Sequence, residues 1–133
     1  MDDLYREQII ERYKNPHHRG SLVPADIFYE DDNPLCGDHI QIYLRVDEHD
    51  VISEATFDGH GCSISQASAD LLIDHILGRP VEEVQSLQKE DILEMLGIQL
   101  GAVRLKCALL SLKVVKAGVY GLGEGEASDS LVS

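Results

Sequence analysis

From His39 onward the chain alternates, with Ile40, Ile42, Leu44 and Val46 on one side and His39, Gln41, Tyr43 and Arg45 on the other. A period of two marks a half-buried strand. Asp47-Glu48-His49-Asp50 supplies a polar turn, after which Val51, Ser53, Ala55 and Phe57 alternate with Ile52, Glu54, Thr56 and Asp58. The two runs predict an antiparallel hairpin ended by Gly59. Beyond Cys62 the period becomes helical: Ile64, Ala67, Leu71, Leu72 and Ile76 form an apolar arc, Gln66, Asp70 and Asp74 lie opposite, and Gly78 and Pro80 close the segment. At the start of the chain Tyr5, Ile9 and Tyr13, widened by Ile10, predict an amphipathic helix capped by Asp2 or Asp3 and stopped at Asn15-Pro16. Between Pro16 and Pro34 only Ile27-Phe28-Tyr29 suggests a short strand, ahead of the acidic run Glu30-Asp31-Asp32. Short helical pieces are expected around Val81 to Leu87 and Asp91 to Leu96, with Gly97 and Gly101 as punctuation. A last helix runs from about Val103 to Val119. One of its stripes is Leu105, Ala108, Leu109, Leu112, Val115 and Val119, and a second is Cys107, Leu110, Val114 and Ala117. The second stripe implies that something other than the main core covers part of this helix.

Strands followed by a run of helices give an α+β fold, a small antiparallel sheet with helices packed on one face. The 133 residues, 44% of them apolar, suit one domain over residues 1–120. Residues 121–133, rich in Gly, Ser and acids, read as a disordered acidic tail. No basic segment precedes an apolar run at the start, and no stretch approaches the roughly 20 apolar residues that cross a bilayer. These features point to the cytoplasm. The net charge of −13, from 24 acids against 11 Lys and Arg, repels nucleic acid and anionic membranes and leaves a complementary protein partner as the expected contact.

Three cysteines carry the candidate chemistry. An odd number in a reducing compartment argues against a disulfide framework. Cys36 precedes Gly37 and Asp38 on a loop that can fold tightly round a ligand. Cys62 follows Gly59-His60-Gly61 at a helix start, where the dipole and free N–H groups favour thiolate. Cys107 follows Arg104 and Lys106 closely in sequence, and their positive charges act in the same direction. Three thiolates and the Asp38 carboxylate make a four-donor set for zinc, or a partly labile seat for an iron–sulfur cluster. Burial as ordinary packing residues is the alternative, since the long intervals between the cysteines match no local zinc-finger spacing. His39, His60 and the His17-His18 pair read as solvated loop histidines, and Ser63, Ser65 and Ser68 as hydrogen bonders at a helix start.

Asn33-Pro34-Leu35-Cys36-Gly37-Asp38, Gly59-His60-Gly61-Cys62-Ser63-Ile64-Ser65-Gln66-Ala67-Ser68 and Arg104-Leu105-Lys106-Cys107-Ala108-Leu109-Leu110 resemble the three signature segments of the IscU/SufU/NifU-N iron–sulfur cluster assembly family. The opening helix, with Leu4, Tyr5, Glu7, Ile9, Tyr13 and Pro16, resembles that family too, and the likeness runs through Val119. It implies a site on Cys36, Asp38, Cys62 and Cys107, each cysteine a candidate persulfide acceptor, with a SufS- or IscS-like cysteine desulfurase as sulfur donor and apo iron–sulfur proteins as recipients. Within the family, Lys106 resembles SufU, where IscU carries histidine. The interval between Cys62 and Cys107 nevertheless lacks the insertion that SufU proteins carry, and Leu100-Gly101-Ala102-Val103-Arg104 departs from the Leu-Pro-Pro-Val-Lys segment that IscU presents to its chaperone. Lys106 is expected to tune Cys107, because a protonated ammonium has no lone pair with which to ligate.

The functional expectation is a scaffold that accepts persulfide sulfur and assembles and transfers a [2Fe–2S] cluster. The alternatives are a zinc-dependent sulfurtransferase that relays sulfur from the desulfurase, and a non-catalytic zinc-binding module. The expected metal is zinc or iron.

Overall fold

The structure, a computed structural model, describes residues 2–33, 37–97 and 99–121. Helix α1 (Asp2–Lys14) leads into strands β1 (Ile27–Asn33), β2 (Asp38–Val46) and β3 (Ile52–His60), followed by helices α2 (Ser63–Ile76), α3 (Val81–Gln85), α4 (Lys89–Leu96) and α5 (Ala102–Gly121). The strands form one antiparallel sheet in the order β1-β2-β3. Ile40, Ile42 and Leu44 of β2 face inward and are essentially inaccessible. They meet Ala55 and Phe57 of β3 on one side and Ile27 of β1 on the other. The expected α+β architecture is the one observed.

Alternation in β3 breaks at its start. The register pairs Arg45 with Glu54 but Val46 with Ile52, so Ser53 is an extra residue and the strand is bulged there. The bulge turns Ile52 into the core while Ser53 stays exposed and donates its hydroxyl to the Arg45 carbonyl at 3.1 Å. Strand β1 is longer than its apolar triplet suggested, because it takes in the whole acidic run. Those acids find partners on both faces of the sheet: the His39 ring bonds Asp32 through Nδ1 at 2.5 Å and Glu30 through Nε2 at 2.9 Å, and on the helix side Lys113 of α5 pairs with Asp31 at 3.0 Å. β1 lies close beneath α5 at Gly118, where a Cβ would stand 3.0 Å from Ile27 Cγ2 and 3.4 Å from Tyr29 Cβ. Only glycine leaves this crossing unstrained.

Helix α2 lies against α1, α4, α5 and the sheet, and its polar side is not a solvent face. Gln66 and Asp70, expected to face water, are 2% and 0% exposed. Asp70 accepts from Arg12 Nη1 at 2.7 Å and from the backbone N–H groups of His17 and His18 at 3.1 and 2.8 Å. Arg12 also pairs with Asp74, which the His18 ring contacts at 2.5 Å. This clasp holds α1 and the loop after it against α2. In α1, Ile9 is buried, whereas Ile10 and Tyr13 of the expected stripe are exposed, because α1 is an outer helix with a narrow contact.

Helix α5 packs on β1, β2, α2, α3 and α4. Cys107, Leu110, Val114 and Ala117 are all buried within the chain, so the second stripe is not a partner's landing surface. The expectation of an external cover is corrected here: the Cys107 side of α5 lies against β1, with Cys107 meeting Asn33 and Gly118 crossing Ile27 and Tyr29, while Gln85 and Leu87 bond the Lys116, Val119 and Tyr120 side. Among the described residues no helix is long and apolar enough to cross a membrane. The tail predicted from residue 121 begins within α5 at Gly121, and residues 122–133 lie outside the described residues.

Candidate metal centre

Asp38 opens β2 directly opposite Asn33, the last residue of β1. The Gly37 N–H donates to the Asn33 carbonyl at 2.9 Å. Cys62 stands at the N-cap of α2, immediately after β3, in extended backbone geometry. Cys107 lies in the second turn of α5. Strand start, helix start and helix thus converge: one donor atom from each of Asp38, Cys62 and Cys107 lies within 4.8 Å of the other two. Cys36, the fourth expected donor, falls outside the described residues.

The carboxylate is fixed by its surroundings. Asp38 is 1% exposed, and its Oδ1 accepts the Cys62 N–H at 2.8 Å, while Oδ2 lies 3.9 Å from Cys62 Sγ. An acid at the first N–H of a helix also meets the positive end of its dipole. Gly61 makes the approach possible, since at φ +148° an added Cβ would stand 2.2 Å from Asp38 Oδ1. The Ser65 hydroxyl donates to the Cys62 carbonyl at 3.1 Å, tightening the first turn. Ser68 behaves differently from the helix-start role expected of it: it donates across to the Ala108 carbonyl of α5 at 2.7 Å and meets Ser111 at 3.4 Å. That bond ties α2 to α5 one residue beyond Cys107.

Cys107 is 1% exposed and Cys62 is half-buried. Asn33, 6% exposed, donates its Nδ2–H to Cys107 Sγ at 3.7 Å, a contact the sequence did not single out although Asn33 begins the first motif. Arg104 and Lys106 are exposed. Lys106 precedes Cys107 by one position, and adjacent helical residues do not face each other, so its charge acts on the site from the solvent side.

The donor set suits a thiophilic metal. Ligands at ordinary zinc distances in a tetrahedron stand roughly 3.5–3.8 Å apart. The observed 3.9 Å between Asp38 Oδ2 and Cys62 Sγ is already near that spacing. Two sulfurs and a carboxylate oxygen could hold zinc or iron with one position left for a fourth donor. The histidines at the rim are otherwise engaged or displaced. His39 has both ring nitrogens in contact with carboxylates, and the Asp32 hydrogen bond raises its pKa against the opposing effect of burial, with Glu30 adding to the rise. His60 is exposed and stacks on His39 at 5.8 Å.

Residues 4–126 match the model of the NifU-like N-terminal domain. The chain belongs to that family. Among curated members it is 35% identical to the zinc-dependent sulfurtransferase SufU of Bacillus subtilis, over 90% of this chain and 91% of that protein. It is also 36% identical to the iron–sulfur cluster assembly scaffold protein IscU of Thermotoga maritima, over 85% and 90% respectively. Among solved structures, the FiSufU protein of Fervidobacterium islandicum superposes with a TM-score of 0.73 at 27% identity, covering 85% of this chain and 94% of that one. The N-terminal part of a NifU-like protein of Brucella abortus, at 20% identity and a TM-score of 0.73, shares the fold. Scaffold and sulfurtransferase members are thus both close relatives, and both functional readings fit the family.

Proposed function

We propose that this chain works in iron–sulfur cluster assembly, as a scaffold that accepts sulfur from a cysteine desulfurase, builds a [2Fe–2S] cluster and passes it to apo-proteins in the cytoplasm. The observation that carries the reading is the convergence of Asp38, Cys62 and Cys107 from three separate elements onto one buried point. Cys36, between Asn33 and Gly37 in sequence, is the fourth donor in this reading. In the sulfur-transfer step a thiolate of the site attacks the terminal sulfur of the desulfurase persulfide. The S–S bond breaks, the desulfurase cysteine leaves as thiolate, and the terminal sulfur stays on the acceptor. Iron and the finished cluster are cargo.

The second reading is a zinc-dependent sulfurtransferase, favoured by the likeness to SufU along 90% of the chain and by Lys106 beside Cys107. Zinc held on the same residues would keep the acceptor thiols as thiolates and block cluster assembly. An ammonium at Lys106 offers no lone pair for ligand exchange, which suits a fixed site better than one that repeatedly releases its contents.

The test is anaerobic reconstitution with iron, cysteine and the desulfurase, followed by transfer to an apo-ferredoxin, with zinc-loaded protein run in parallel. Efficient transfer from the clustered form supports the scaffold. Stimulation of the desulfurase by the zinc form, with no transferable cluster, would replace it with the sulfurtransferase.

A further inference from the structure

Asn33 is the described residue of the first motif that neither reading uses. It pairs with Asp38 across β1 and β2, and directly opposed residues project to the same face of a sheet. Both are buried there, one offering a carboxylate to the site and the other an amide N–H. The two described sulfurs therefore have unlike neighbours. Cys107 Sγ receives the Asn33 Nδ2–H at 3.7 Å, whereas Cys62 Sγ faces the Asp38 Oδ2 acceptor at 3.9 Å.

We propose that Asn33 is a positioning residue that makes Cys107 the retained thiolate of the site and leaves Cys62 the more readily released. This rests on the metal-centre reading above. Four anionic donors round a divalent metal leave the site negative, and a neutral N–H donor on one sulfur spreads part of that charge and fixes the direction of its lone pairs. Burial acts in the same sense, since Cys107 is 1% exposed and is anchored through the Ser68 bond to Ala108, while Cys62 is half-buried at the mouth.

The experiment compares the full chain with Asn33→Leu, which keeps nearly the side-chain volume but has no N–H, and with Asn33→Ala in case the leucine variant does not fold. Zinc release to a chromophoric chelator should quicken on the order of 10-fold, the scale of a lost hydrogen bond to a metal ligand. In the cobalt-substituted protein the thiolate-to-metal charge-transfer band should shift. Alkylation of the zinc-loaded protein by iodoacetamide, resolved residue by residue by mass spectrometry, should find Cys107 slower than Cys62 in the wild type and Cys107 faster in the variants than in the wild type. Unchanged release together with an unchanged alkylation order overturns the proposal, as does a wild-type Cys107 that reacts ahead of Cys62. The alkylation order is read on metal-free protein as well. A wild-type chain that takes up no metal therefore sinks the metal centre itself, and that failure is distinguishable from a failure of Asn33 alone.

Discussion

Asp38 has one oxygen bound to the Cys62 amide and the other turned toward sulfur, and this division depends on the residue before Cys62. Gly61→Ala would drive a methyl into Oδ1, and the helix start has no slack because Ser65 stands 2.9 Å from the same point. The variant is expected to lose most metal uptake, measured as zinc per chain after dialysis, while Gly101→Ala, which meets nothing within 4 Å, serves as the neutral control. Equal uptake in both would show that Asp38 is dispensable to the site. The same scale shows what the sequence could reveal. Asp38, Cys62 and Cys107 were legible because each lies in a glycine-bearing or charged context that suits chemistry better than packing. Asn33 and Ser68 were not, because their roles depend on which helix crosses which strand, and a linear pattern does not hold that information.

At the level of elements, α2 shows how a correct helix can carry a wrong face. Its apolar arc was readable, but period alone assigned Gln66 and Asp70 to solvent, when α1 and its loop bring a guanidinium and two backbone N–H groups to Asp70. The acidic half of β1 was hidden for a similar reason: its partners, His39 and Lys113, come from elsewhere in the chain. Removing Asp70 leaves the His17 and His18 amides without their acceptor and Arg12 with Asp74 alone. Asp70→Ala should therefore destabilise the fold by roughly 2–4 kcal/mol in denaturant titrations. A loss below about 1 kcal/mol would mean that water enters and replaces the carboxylate. Asp74 in the same clasp is partly exposed and worth less. Burial pushes its pKa up, but the His18 and Arg12 contacts outweigh burial and hold it below the ordinary carboxyl value of 3.8. A carboxyl lowered in this way contributes stability that is complete above its unfolded value and disappears as pH falls through the folded one. The stability gap between wild type and Asp74→Asn should accordingly be present at pH 5 and close as pH falls below about 4. A gap that persists unchanged to pH 3 would place the stabilisation elsewhere.

For the whole molecule, charge sets two opposing effects against each other. With 24 acids and 11 Lys and Arg, the chain carries a net −13, and that self-repulsion acts over many ångströms. The attractions that offset it are short, such as Arg12 to Asp70 at 2.7 Å, Arg45 to Glu54 at 2.7 Å and Lys113 to Asp31 at 3.0 Å. Raising the ionic strength from 0.01 to 0.15 M shortens the screening length from about 30 Å to about 8 Å. That change removes much of the repulsion between distant acids but leaves contact pairs largely intact, above all the Arg12–Asp70 pair, whose side chains are 14% and 0% exposed. The exposed pairs lose more, yet each is worth about 0–1 kcal/mol at most. The long-range effect should therefore win, and the thermal midpoint should rise by a few degrees across that range of sodium chloride. Calorimetry of metal-free protein at pH 7 makes the measurement without any contribution from ligand binding. A midpoint that falls with salt would show instead that the fold depends on its surface ion pairs more than it suffers from its excess of acids.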